Sequence, residues 1–90
     1  MRRFIGTVLP KEQLIHVLKK QGFRIDDKRN WRNKCGHWNF LDCMFRFSLE
    51  ELELTTFTEH PFYDFIHEDF GNGWLFHKDW FIPKSLREIK

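Results

Sequence analysis

The segment Leu9-Pro10-Lys11-Glu12-Gln13-Leu14-Ile15-His16-Val17-Leu18-Lys19-Lys20-Gln21-Gly22-Phe23 carries the signals of one amphipathic helix held between two strands. Pro10 keeps Leu9 out of the helical region and is itself tolerated in a first turn, so a helix starts there. Leu14, Ile15, Val17 and Leu18 form one apolar stripe. Glu12 sits near the positive end of the helix dipole, and Lys19 and Lys20 near the negative end. Gly22 follows as a left-handed stop, and Phe23 is placed to pack back on the last turn. The pattern predicts a helix over residues 10–21. Upstream, Phe4 to Leu9 reads as a strand; downstream, Phe23-Arg24-Ile25 alternates as another.

Working outward, residues 26–37 hold turn formers, charges and one large apolar residue, Trp31, the composition of an exposed loop or loose hairpin tip. Leu41, Cys43, Phe45 and Phe47 alternate with Phe40, Asp42, Met44 and Arg46, which predicts a strand over 38–47. Ser48 with Glu51 would suit a capping box, but the alternation of Leu52 and Leu54 with glutamates favours a strand over 52–57. Thr58 as a cap, Pro61, and Phe62, Phe65, Ile66 and Phe70 at helical spacing predict a second helix over 60–69, stopped by Gly71. Asn72-Gly73 reads as a turn, Trp74 to His77 as a strand, and Trp80-Phe81-Ile82 as a last strand before Pro83. The expected fold is α+β, a small mostly antiparallel sheet with two helices in the order β-α-β-β-β-α-β-β.

Length and composition set limits on this. Ninety residues make a single domain, 1–90, and 41% hydrophobic with 31% charged residues belongs to a chain that folds. Apolar runs such as Trp74-Leu75-Phe76 are far short of the roughly 20 residues a membrane span needs, and Met1-Arg2-Arg3-Phe4-Ile5 is no signal-peptide core. The expectation is an intracellular, soluble, cytoplasmic protein with no membrane partner. Two cysteines, Cys35 and Cys43, make no disulfide framework. Alanine is absent, while 11 Phe, 4 Trp and 1 Tyr must be placed. Each aromatic is able to bury about 150–250 Å², so some of them should reach the surface of so small a domain.

The net charge of +2 conceals a polarised chain. Residues 1–34 carry ten Lys or Arg against three acids, residues 35–78 two bases against eight acids, and residues 79–90 a net +1. Such a layout suits either an anionic partner or halves that neutralise each other.

No motif carries a reaction. Cys35, His37, Cys43, His60, His67 and His77 are the donor types zinc prefers, but only Cys35-Gly36-His37 is closely spaced, so no metal and no cofactor is expected. Cys35 beside Lys34 and His37 meets only the first need of a nucleophile, a lowered thiol pKa. Glu59, Asp64, Glu68 and Asp69 read as a solvated acidic rim on the expected second helix. Glycine-rich phosphate loops and Ser-His-Asp arrangements are lacking, and the chain is not expected to be an enzyme.

Binding is better supported. Arg, Trp and Phe are the residue types of protein hot spots, and Arg24, Lys28, Arg29, Trp31, Arg32, Lys34 and Trp38 bring them into one segment. The alternative is a nucleic-acid surface over residues 19–34, with Lys19 and Lys20 added to the phosphate contacts and Trp31 stacking on an unpaired base. Against it, the isoelectric point of 8.7 falls below the roughly 9 or more of a dedicated binder. Oligomeric state is left open.

The closing Gly71-Asn72-Gly73-Trp74-Leu75-Phe76-His77-Lys78-Asp79-Trp80-Phe81-Ile82-Pro83 resembles the ending of small accessory proteins of tailed bacteriophages and prophages. Leu18-Lys19-Lys20-Gln21-Gly22-Phe23-Arg24-Ile25 looks like a second pattern of that group. The resemblance implies a phage or prophage origin, a place in the bacterial host cytoplasm, and a role in binding a host protein and modulating or inhibiting it.

Overall fold

In the computed structural model, which describes residues 2–25, 31–32, 38–39 and 45–90, the alternating stretches of sequence become short strands. In chain order they are β1 (Arg3–Thr7), α1 (Lys11–Lys20), β2 (Arg24–Ile25), β3 (Trp31–Arg32), β4 (Trp38–Asn39), β5 (Glu51–Thr56), β6 (Phe65–Asp69), β7 (Asn72–Phe76) and β8 (Arg87–Ile89). Single 3₁₀ turns lie at Phe45–Phe47 and Lys78–Trp80. Two compact units result, one of Met1–Leu9 with Leu49–Lys90 and one of Pro10–Ser48.

The first unit is a five-stranded antiparallel sheet in the order β7-β6-β5-β1-β8. Phe4 lies opposite Leu54 and Gly6 opposite Leu52. Because directly opposed residues share a face, this register collects Phe4, Gly6, Leu52, Leu54, Phe65 and Phe76 on one side. Tyr63, Trp80 and Phe81 are buried in the same unit. The rings meet tilted or edge-on: Phe4 with Phe65 at 5.1 Å, Phe76 with Phe81 at 5.4 Å and Tyr63 with Trp80 at 6.1 Å. These are the geometries the aromatic quadrupole favours. Gly6 is where the sheet needs no side chain, since a Cβ there would stand 2.9 Å from Phe81 Cδ1. Residues 77–86 are tied down by Leu9 N–H donating to Trp80 O and Ile82 N–H donating to Thr7 O.

The second unit contains the only α-helix among the described residues. Pro10 is its N-cap and accepts from Leu14 N–H at 2.9 Å. At the other end Phe23 N–H donates to Leu18 O and Gly22 N–H to Lys19 O, with Gly22 at φ +88°. This is the Schellman stop the sequence announced, and its expected apolar pair, Leu18 and Phe23, is buried. β2, β3 and β4 follow as an antiparallel meander. Lys11 Nζ lies 5.1 Å from the centre of the Phe45 ring.

Four expectations need correction. Residues 60–69 are not a second helix: 65–69 form β6, and one α-helix stands where two were expected. Phe65 and Ile66 fit a strand equally well, and pairing decided between the periods by setting Phe65 opposite Phe76 and Ile66 opposite Leu75. The strand expected over 38–47 is β4 at its start and a 3₁₀ turn at Phe45–Phe47, with 40–44 outside the described residues. The turn belongs to Phe70-Gly71 and not to Asn72-Gly73, which lies within β7. A turn at Asn72-Gly73 would pair Phe76 with Asp69 in place of Phe65. Trp80-Phe81-Ile82 forms no strand; Trp80 ends a 3₁₀ turn and Phe81 makes a single bridge to Val8. β8 had no counterpart in the sequence reading, and the order of elements departs accordingly. No helix among the described residues is long and apolar enough to cross a membrane.

Candidate interaction surfaces

The short meander positions part of the basic segment. Arg24 pairs with Arg32 and Arg32 with Trp38, while Ile25 pairs with Trp31 and Trp31 with Asn39. The register therefore puts Arg24, Arg32 and Trp38 at directly opposed positions on three strands, and Trp31 opposite Ile25 and Asn39. Lys28, Arg29 and Lys34 lie outside the described residues, as do Cys35, His37 and Cys43. Lys19, Lys20 and Arg24 are exposed. Among the described residues, none of the ion pairs involves these three cations.

Two glutamates of the acidic stretch pair within the first unit. On the first unit's second sheet face, Arg3 lies 3.8 Å from Glu53 and Arg87 3.7 Å from Glu51. Such exposed pairs are worth about 0–1 kcal/mol each. A shallow depression of about 580 Å³ lies on this face, lined by Arg3, Glu51, Glu53, Ile66 and Glu68 among others. Across the sheet edge, Arg2 donates to Glu88 through both Nε and Nη2 at 3.0 Å. That two-point hydrogen bond holds the Glu88 carboxyl below its ordinary value and raises the Arg2 guanidinium.

Three described histidines meet backbone groups. Phe62 N–H donates to His60 Nδ1 and Asp79 N–H to His77 Nδ1, each at 3.0 Å. His67 Nδ1 is 2.8 Å from Glu53 O, so that nitrogen carries the proton and donates. Asp64, expected on a helical rim, accepts from Lys78 N–H at 2.7 Å and caps the 3₁₀ turn. Among the described residues no three of His, Cys, Asp and Glu form a cluster able to hold a metal ion.

One surface escaped the sequence reading. Phe70 and Gly71 form a two-residue turn between β6 and β7 with φ of +50° and +82°. Both values match a type I′ turn, whose first position favours Asn, Asp or Gly. A phenylalanine there is strained, and its side chain is 99% exposed. The signal in the sequence, Gly71 directly after Phe70, also fits a helix stop. Compared with protein-family models, curated proteins and solved structures, the chain matches none of them.

Proposed function

We propose that this chain is a noncatalytic binding protein that acts by occupying an acidic surface of another protein. The carrying observation is the register that sets Arg24, Arg32 and Trp38 directly across from one another on three strands. Like charges at opposed positions oppose folding. An arrangement that costs the fold and joins two arginines to a tryptophan supports display toward a partner. On the resemblance of the closing segment, the partner is a bacterial host protein and the chain a phage accessory protein in the host cytoplasm. Lys28, Arg29, Trp31 and Lys34 extend this reading along the sequence.

The exposed Lys19, Lys20 and Arg24 also favour a second reading, a nucleic-acid surface. Affinity capture from host lysate with and without nuclease, followed by a salt titration, separates the two. A protein partner survives nuclease, is lost on replacing Arg24, Arg32 and Trp38 with alanine, and loses little affinity beyond its on-rate as salt rises. A steep, log-linear loss of affinity with salt would assign the surface to phosphate.

A further inference from the structure

We infer that the depression on the first unit's second sheet face, with Leu49 and Phe70 beside it, is a further binding surface, fitted to a basic and apolar segment of another protein. Among the described residues, Leu49 and Phe70 are the only non-glycine residues with positive φ, at 66° and 50°. The same two are the exposed large hydrophobic side chains, at 63% and 99%. Neither the conformation nor the exposure favours the folded chain. Their coincidence at the same residues points to a contact outside the chain.

Strand direction brings the two to one place. β5 and β6 run antiparallel and Thr56 pairs with Phe65, so the start of β5 and the end of β6 lie together at the other end of that ladder. Leu49 stands two residues ahead of Glu51, and Phe70 two residues beyond Glu68. Glu51 and Glu68 both line the depression of about 580 Å³. Two residues of chain span at most about 7 Å, so each apolar residue lies at its margin. Ile66, half-buried, adds an apolar side chain to the lining.

Charge selects the occupant. The lining sets Glu51, Glu53 and Glu68 against one arginine, Arg3. Arg3 and Arg87 approach Glu53 and Glu51 at 3.8 and 3.7 Å, between side chains that are all more than half exposed. Among the described residues, Glu68, and Glu50 beside Leu49, take no part in the ion pairs, and both are exposed. A lysine or arginine of a partner meets carboxylates here, and its apolar neighbours cover Leu49 and Phe70. A second copy of this chain would bring the same acids against themselves, and an anionic membrane would bring phosphates against them; both are repelled. The surface is opposite in sign to that of Arg24 and Arg32 and independent of it.

Fluorescence anisotropy on the full chain, with a labelled peptide of alternating leucine and lysine as the probe, tests this. The peptide is expected to bind, and its leucine–glutamate and serine–lysine counterparts to bind at least about tenfold more weakly. Phe70→Asn and Leu49→Asn place at each position a residue that tolerates the left-handed region. Each should raise the melting temperature while weakening the leucine–lysine complex about tenfold, a combination that a purely structural role does not produce. Glu68→Lys should weaken the complex with a cooperative melt retained. Replacing Arg24, Arg32 and Trp38 with alanine should leave it unchanged, so the two surfaces stand or fall separately. Equal binding of the three peptides, or a complex indifferent to both Phe70→Asn and Glu68→Lys, overturns the proposal. So does a dimer in sedimentation velocity, or binding to phosphatidylcholine vesicles, that Phe70→Asn abolishes, because the surface would then belong to a second copy or to lipid.

Discussion

Replacing Gly6 with alanine adds one methyl group to the most crowded point of the β1 face. The new carbon would stand 2.9 Å from Phe81 Cδ1 and 3.0 Å from Leu86 Cδ1, closer than carbon atoms approach in folded proteins. Phe81 is itself 2% exposed, so its ring has little room to retreat. Overpacking of this kind costs about 1–3 kcal/mol, and the stiffer unfolded chain returns about 0.4–1 kcal/mol. The net loss is about 1–2 kcal/mol, which lowers the melting temperature by roughly 5–15 °C in a domain of this size. Guanidinium titration followed by tryptophan fluorescence should show the midpoint falling with an unchanged slope. Phe81→Leu, which shortens the obstructing ring, should absorb part of the penalty and leave a coupling of about 0.5 kcal/mol or more in a double-mutant cycle. A Gly6→Ala protein as stable as wild type, or a penalty that Phe81→Leu leaves untouched, would mean that Phe81 does not lie over β1.

Three further outcomes follow from backbone geometry and charge. Phe70→Asn relieves a left-handed phenylalanine at a type I′ position and should stabilise the protein by about 1 kcal/mol in thermal melts at high dilution. Gly22→Ala meets no atom within 4 Å, so its cost is conformational alone, about 1–2 kcal/mol at φ +88°; an unaffected melt would remove the Schellman stop from the account. The Glu88 carboxyl, followed by NMR, should titrate below the ordinary glutamate value of 4.5 and return to it in Arg2→Ala. Since its folded-state pKa is the lower one, the pair's contribution is present above the unfolded-chain value and is lost as pH falls through the folded one.

The parts of the fold legible in sequence are those with local causes. The helix between Pro10 and Gly22 is announced at both ends by residues that act on their own neighbours, and its observed bounds differ from the expected ones by one residue at each end. β5 was legible because Leu52 and Leu54 alternate with glutamates, and β1 because an apolar stretch runs up to Pro10; their residues pair over five positions. β6 was not, because Phe62, Phe65, Ile66 and Phe70 satisfy a helical period by coincidence, and only the partner strand seventy positions into the chain selects the other reading. Trp80 misled for the opposite reason. An apolar triplet before proline resembles a strand, yet this tryptophan is fully buried by a 3₁₀ turn that His77 caps with its ring nitrogen. For the candidate surface, the residue types were legible and the register was not: nothing local tells that Arg32 lies opposite Arg24 and Trp38 while Trp31 lies opposite Ile25 and Asn39.

The polarised charge admitted two outcomes, mutual neutralisation or display, and two of the acids are neutralised within the first unit. Glu51 and Glu53, from the acidic stretch, are met by Arg87 and Arg3 from the two ends of the chain. Those arginines reach them because β1 and the first unit's sheet bring sequence-distant strands side by side, with Arg3 and Glu53 on adjacent strands. Among the described residues, Lys19, Lys20 and Arg24 take no part in these ion pairs. Neutralisation of Glu51 and Glu53 by Arg87 and Arg3 is therefore a consequence of topology. Charge reversal at Glu51 and Glu53 should accordingly lower stability by less than about 2 kcal/mol in total and leave binding through Arg24, Arg32 and Trp38 intact. A loss of binding on that reversal would show that the acids, and not the arginine row, face the partner.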